Sequence, residues 1–185
     1  VKVGRDKRTA DGEDFLAINP YGYVPALALD SGEVLLEGPA IVQWIADQAP
    51  ERGLAPAAGS MDRYRLQSAL TLVNSEIHKP IGSLFNPALS EEAKAATLQR
   101  VDARLKTLSA QLGDRPWLVG DAYSVADAYL FVVLAWLRVT GMPWRARKIA
   151  SSSRRDSGRR PPSDCADSLC AAPQPEIVPA TVSAA

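Results

Sequence analysis

The single histidine of this sequence is the first candidate for acid–base chemistry. The chain contains one histidine, His78, and an imidazole can accept or release a proton near neutral pH. A lone histidine is more often structural than catalytic, so the residue type alone favours a structural role. The two cysteines, Cys165 and Cys170, form no disulfide framework, and we therefore expect a reducing, cytoplasmic setting.

The pair Glu37 and Gly38 is a second candidate, because a helix is predicted to begin there. Pro39 follows, and proline is favoured in the first turn of a helix, where its missing N–H group is not needed. The free N–H groups and the positive dipole end at such a position suit a bound carboxylate. Glu37 could equally serve only to cap the helix, and these residues alone leave both interpretations open.

The pattern of residues 1–52 predicts a mixed α/β region around Glu37 and Gly38. The apolar run Val24–Leu29, the turn formers Asp30–Glu33 and the apolar run Val34–Leu36 together predict a β-hairpin. Taken alone, Val24 and Pro25 fit an ordinary edge strand with a trans proline. The apolar face of the helix that follows is predicted to consist of Ile41, Trp44 and Ile45.

Residues 60–140 predict an all-helical region. One helix is expected over Met61–Lys79, and a second from the N-cap Ser90 to a stop at Gly113. The segment Ser124–Asp127 is a capping box for a third helix. That helix contains the ten-residue apolar run Ala128–Leu137 and should lie at the centre of the bundle.

Composition argues against several other classes of protein. The chain has 185 residues with 21 basic and 21 acidic side chains, so no overall charge favours nucleic acid or a membrane surface. The longest apolar run is much shorter than the roughly 20 residues that span a bilayer. Residues 141–185 are rich in arginine, serine and proline without apolar periodicity, and we expect a disordered tail there.

Five segments in consistent order resemble motifs of the glutathione S-transferase family. They are Asn19–Leu27, Leu36–Ile41, Asp47–Pro50, Ser75–Lys79 and Trp117–Leu130. The segment ending in His78 and Lys79 is similar to one typical of the bacterial beta class. The resemblance covers residues 1 to about 140 and stops after about residue 143. It implies a thioredoxin-like α/β domain over residues 1–52 and an all-α helical-bundle domain over residues 60–140.

The resemblance also implies which residues contact glutathione. The implied binding residues are Lys7, Tyr23, Val24, Pro25, Glu37, Gly38, Thr71 and Lys79. In the family, the peptide bond before Pro25 is cis, and the backbone of Val24 pairs with the ligand. Glu37 would meet the ammonium group of glutathione, Gly38 would meet its γ-glutamyl carboxylate, and Lys7 would meet its glycine carboxylate. Thr71 stands where many beta-class members have an asparagine.

His78 would face the thiol and assist catalysis by helping to hold it as thiolate, with added positive potential from Lys79. The family places its first strand, its first helix and its catalytic cysteine, serine or tyrosine before the position of Val1. We therefore expect those parts to be absent. The resemblance implies no metal and no cofactor, since glutathione is a co-substrate.

The implied function is conjugation of the glutathione thiolate to small electrophiles by a homodimer, without a nucleic-acid or membrane partner. The alternative from another class is a non-catalytic glutathione- or ligand-binding protein or an inactive remnant. A protein-interaction scaffold is a third possibility.

Overall fold

The structure is a computed structural model that describes residues 1–140. The predicted tail over residues 141–185 lies outside this range. The first residues form antiparallel bridges between Val3 and Thr9 and between Arg8 and Asp14. Asp14 then caps the short helix α1, Phe15–Ile18, by accepting a hydrogen bond from the Leu16 N–H.

The predicted hairpin is confirmed. Strand β1, Ala26–Ala28, pairs antiparallel with β2, Val34–Leu36, and Ala26 stands opposite Leu36. The connecting turn is closed by a hydrogen bond of 2.9 Å from the N–H of Leu29 to the carbonyl of Glu33. The hairpin leads directly into the helix that begins at Gly38.

Helix α2, Gly38–Asp47, is present, but its predicted apolar face is only partly correct. Ile41 is buried, whereas Trp44 is 36% exposed and Ile45 is 50% exposed. The helix instead buries Ala46 against the helical region, so its contact face is rotated towards residues that the apolar pattern did not single out. A 3₁₀ turn over Pro50–Arg52 follows.

The helix predicted over Met61–Lys79 is divided into three parts. Helix α3, Met61–Leu72, runs into a π-helical turn, Val73–His78, and then into α4, Lys79–Ser83. Pro80 explains the change, because proline has no N–H and its ring would collide with the carbonyl four residues earlier in a regular α-helix. The wider turn immediately before Pro80 accommodates that ring.

The remaining helices follow the sequence prediction closely. Helix α5 spans Glu91–Leu112 with Ser90 as its N-cap, and α6 spans Val125–Ala135, followed by a 3₁₀ turn over Trp136–Arg138. The capping box is formed, since Asp127 accepts hydrogen bonds from the N–H and the hydroxyl of Ser124. Asp127 also accepts the N–H of Leu118, which fixes the approach to α6.

Two groups of buried side chains form the core. The larger group joins the π turn, α4, α5 and α6, and consists of Val73, Ile77, Ile81, Val101, Leu105, Leu108, Leu130, Val133, Leu134 and Leu137. The smaller group joins α2 to the helical region and consists of Ala46, Leu66, Leu70, Val125 and Ala126. The predicted layout, a small α/β region followed by a helical region, is confirmed. The expectation that α6 is buried on nearly all sides is only partly correct, because Leu130, Val133 and Leu134 are buried whereas Phe131 is 73% and Val132 is 53% exposed.

A buried arginine also joins the two regions. Arg63 in α3 is 5% exposed, and its guanidinium forms a two-pronged ion pair with Asp47 at the end of α2. The same side chain donates a 2.7 Å hydrogen bond to the carbonyl of Pro56 in the connecting segment. Within residues 1–140, no helix has the length and apolar character needed to cross a membrane.

Candidate functional site

His78 lies at the end of the π turn in a small polar and aromatic cluster. Its Nδ1 is 2.7 Å from the phenol oxygen of Tyr129 in α6 and 3.3 Å from Oδ1 of Asn74. The phenol of Tyr129 in turn donates to Oδ1 of Asn74 at 2.9 Å. The imidazole also makes edge contacts with the rings of Tyr129 and Trp136, whose centroids are 5.7 and 4.8 Å away.

The surroundings of this cluster alter the proton affinities of both rings. Burial lowers the pKa of His78, because the charged imidazolium loses hydration, and the carboxylate of Glu37 partly opposes this effect. Burial also raises the pKa of Tyr129 to about 12, with a further contribution from Glu37. Near neutral pH the imidazole is therefore favoured in its uncharged form and the phenol keeps its proton.

Glu37 and Gly38 stand at the start of α2, as the sequence predicts. The side chain of Glu37 makes no capping hydrogen bond to the helix, and its backbone has a φ of 69° in the left-handed region. Glu37 is therefore the N-cap residue of α2 through its backbone carbonyl, which accepts hydrogen bonds from the N–H groups of Ala40 and Ile41, and its side chain takes no part in the cap. Its carboxylate is exposed instead and influences the titration of His78 and Tyr129.

An open cleft of about 390 Å³ lies between α2 and α3. Its lining residues are Glu37, Pro39, Ala40, Gln43, Gln67, Leu70, Thr71 and Asn74. Thr71 is on this wall, but its hydroxyl donates a 2.8 Å hydrogen bond to the carbonyl of Gln67 in its own helix. Asn74 connects the wall of the cleft to His78.

The segment before β1 presents backbone groups at the surface. The peptide bond between Val24 and Pro25 is cis, as the family resemblance implies. Tyr23 and Val24 are 63% and 58% exposed, and the buried amide of Asn19 donates a 2.7 Å hydrogen bond to the carbonyl of Tyr23. Within residues 1–140, no hydrogen bond involves the backbone N–H or carbonyl of Val24, so both can pair with a ligand.

Two predicted lysines stand apart from the cleft wall. Lys7 has a φ of 60° and donates a hydrogen bond of 2.9 Å from its ammonium group to the carbonyl of Gly22. Lys79 is exposed in the first turn of α4. Neither side chain lines the cleft beside Glu37, so their roles towards glutathione stay predictions.

Sequence reasoning missed three residues of this site: Asn74, Tyr129 and Trp136. Asn74 stands four positions before His78, which places both on one side of a helical segment, and this spacing could have revealed it. Tyr129 lies 51 positions from His78, and only the packing of α6 against the π turn brings the two together. Trp136 lies within the apolar run Ala128–Leu137, so the sequence pattern marked it only as an apolar residue of the third helix.

Two segments of the chain match profiles of one protein family. Residues 3–48 match the profile described as "Glutathione S-transferase, N-terminal domain", and residues 91–158 match "Glutathione S-transferase, C-terminal domain". The second match extends past Pro143, where the motif resemblance was expected to stop.

Individual relatives agree with these profiles. The chain is 41% identical to glutathione S-transferase GstA of Escherichia coli O157:H7 over 70% of its own length and 65% of that protein. It is 36% identical to glutathione S-transferase GST-4.5 of Xanthomonas campestris pv. campestris over 74% of its own length and 70% of the relative. The matched part thus spans a little less than two thirds of the first of these relatives.

Solved structures of bacterial enzymes are similar as well. A sphingomonad glutathione S-transferase complexed with glutathione has a TM-score of 0.76 and 51% identity, covering 83% of this chain and 76% of that one. The beta-class glutathione S-transferase of Sphingomonas chungbukensis has a TM-score of 0.78 and 45% identity, covering 82% and 77%.

Proposed function

Since this chain belongs to the glutathione S-transferase family, we propose that it binds glutathione beside Glu37 and transfers the glutathione sulfur to small electrophiles. One observation carries the proposal: Tyr129 is hydrogen-bonded to His78 and lies beside Gly38 at the start of α2, and the neighbouring Glu37 lines the cleft between α2 and α3. A group that binds a charged ligand end therefore lies next to a group that can move a proton.

The binding half of the proposal rests on the start of α2. At the start of α2, Pro39 has no N–H and the N–H groups of Ala40 and Ile41 are bonded to the carbonyl of Glu37, so the Gly38 N–H is the donor left for a ligand. Together with the positive dipole end of the helix, it suits the γ-glutamyl carboxylate. The uncapped carboxylate of Glu37 is available for the neighbouring ammonium group. The backbone of Val24 would pair with the peptide part of glutathione, since its N–H and carbonyl have no hydrogen bond within residues 1–140.

The chemical half of the proposal rests on His78. An uncharged imidazole accepts the proton of the glutathione thiol, so the S–H bond breaks and an N–H bond forms. The thiolate is the reactive nucleophile, and the imidazolium next to it offsets its charge. Sulfur then attacks the electrophilic carbon, and the leaving group departs with its electron pair. The edges of Trp136 and Phe85, 5.8 Å apart by ring centroid, offer an apolar surface for the electrophile.

We further propose that the active form is a homodimer. The support is family membership alone, and size-exclusion chromatography with light scattering would test it. A monomer at micromolar concentration would count against this part of the proposal.

The experiment that tests the function measures glutathione binding and turnover in the same preparation. Isothermal titration gives the affinity for glutathione, and a chromogenic aryl halide gives the conjugation rate above the uncatalysed background. We expect saturable binding and a rate that depends on both substrates. Binding without turnover would favour the non-catalytic alternative, and no binding would refute the proposal.

Glu37→Gln separates a specific site from a general charge effect. It removes the carboxylate at the start of α2 and should weaken glutathione binding by about tenfold, the effect of roughly 1.4 kcal/mol. Glu92→Gln is the matched control, because it removes a carboxylate from the first turn of α5, away from the cleft. Equal effects of the two variants would show that Glu37 has no special role.

A further inference from the structure

We propose that Tyr129 and Asn74 are positioning residues that hold His78 in the tautomer protonated at Nδ1, so that Nε2 is left to accept the thiol proton. The acceptance of that proton rests on the proposed function, whereas the tautomer does not. Tyr129 and Asn74 are not among the residues that the family resemblance implies, and Asn74 also lines the cleft beside Glu37.

The hydrogen-bond directions follow from counting protons. The carbonyl oxygen of Asn74 can only accept, so the single phenol proton of Tyr129 is used in the 2.9 Å bond to it. The 2.7 Å contact between the phenol oxygen and Nδ1 of His78 then needs a proton from the imidazole. His78 therefore donates through Nδ1, and Nε2 carries the lone pair when the ring is uncharged.

The opposite orientation of the Asn74 amide fits less well. Its NH₂ group would donate to Tyr129, and the phenol proton would turn to Nδ1. The same NH₂ group would then also stand 3.3 Å from Nδ1 of His78. The single lone pair of Nδ1 would face two donors, the phenol of Tyr129 and the amide of Asn74. In the first orientation the carbonyl oxygen of Asn74 accepts from two donors with its two lone pairs, so each of these three contacts joins a donor to an acceptor.

Aromatic contacts restrict the orientation of the imidazole ring, in addition to the hydrogen bonds that determine which nitrogen carries the proton. Tyr129 and Trp136 approach the imidazole edge-on at interplanar angles of 81° and 66°, which limits rotation of the ring. Within residues 1–140, no hydrogen bond involves Nε2 of His78. The charged or titratable groups that act on the ring are Glu37 at the start of α2 and Tyr129 in α6.

The tautomer can be read directly, because His78 is the only histidine of the chain. Long-range ¹H–¹⁵N correlation spectra of the full chain give one imidazole pattern that needs no assignment. At a pH where the ring is uncharged, we expect a protonated-type shift for Nδ1 and an unprotonated-type shift for Nε2. The reverse pattern would overturn the proposal.

Two variants of Asn74 test whether its side chain determines the tautomer of His78. Asn74→Asp is nearly isosteric and can only accept when ionised, so the tautomer should stay as in the parent chain. Asn74→Ala frees the phenol proton of Tyr129 to turn to Nδ1, so the population should move towards Nε2–H. Tyr123→Phe is the control, since that tyrosine packs on Trp117 away from the cluster, and it should change nothing. An unchanged pattern in Asn74→Ala would overturn the proposal.

Turnover gives the functional reading. Tyr129→Phe removes only the phenol oxygen, and we expect kcat to fall by about tenfold or more, less than the 10²–10⁴ expected for losing the acid–base group itself. A kcat within twofold of the parent would overturn the positioning role. If the parent chain shows the Nδ1–H pattern without any turnover, the proposed function fails while the tautomer assignment stands.

Discussion

The backbone of Gly38 lies directly against the ring of Tyr129. A Cβ atom at position 38 would stand 3.1 Å from Cε2 and 3.4 Å from the phenol oxygen of Tyr129. The start of α2 therefore leaves too little room for a side chain at position 38 beside Tyr129, the residue that contacts His78.

We expect Gly38→Ala to lower the free energy of unfolding by about 1 kcal/mol, because the added methyl group overpacks the contact with Tyr129. Denaturation in urea measures this change. Gly82→Ala is the matched control, since Gly82 is also helical and a Cβ there meets nothing within 4 Å. The control should be neutral or stabilising, and a Gly38→Ala variant as stable as Gly82→Ala would contradict the prediction.

Arg63→Ala should destabilise the fold by about 2–4 kcal/mol, because it leaves Asp47 and the Pro56 carbonyl without their donor. The lower part of this range allows for the 45% exposure of the Asp47 side chain. Thermal and urea denaturation both report the loss. Arg65→Ala removes an exposed arginine paired with Asp62 and should cost less than about 1 kcal/mol. Similar losses in the two variants would refute a special role for Arg63.

The folded state should lose stability as the pH falls through about 6.5. Burial lowers the pKa of His78, so in this range the unfolded chain binds a proton that the folded chain does not. The melting temperature should therefore be higher at pH 7.5 than at pH 5.5. His78→Gln should reduce this difference, and an equal pH dependence in the variant would assign it to other groups.

At alkaline pH, Tyr129 should keep its proton to a higher pH than the other tyrosines. Its pKa of about 12 lies above the ordinary value near 10, so stability falls as the pH rises between these values and the unfolded chain ionises first. Absorbance titration of tyrosinate should lose its last component in Tyr129→Phe. The pKa of Tyr123 is also raised, by burial and by Asp127, so Tyr123→Phe is the necessary comparison. An unchanged last component in Tyr129→Phe would contradict the prediction.

The parts of the fold that depend on neighbouring residues were predictable from the sequence. The β-hairpin and the capping box of Ser124 and Asp127 are both set by residues a few positions apart, and both are present. The π turn was not predicted, although Pro80 within the helix was a signal for it.

The candidate site was predictable only where its residues are close in the chain. The start of α2 at Glu37 follows from local pattern, and His78 from a motif. Its partner Tyr129 belongs to another helix, and no periodicity predicts which of the apolar residues of α6 faces the imidazole. The exposure of Trp44 likewise depends on how α2 packs, which its own pattern does not determine.

The ion pair between Arg63 and Asp47 also bears on how such a protein can diversify. Each partner comes from a different region of the chain, and the carbonyl of Pro56 lies in the connection between them. A chimera that took its first region from a relative without an acid at position 47 would leave the buried guanidinium of Arg63 without its carboxylate. Recombination at this boundary should therefore cost stability unless both parents carry the pair, and this couples the inheritance of the first region to that of the helical region.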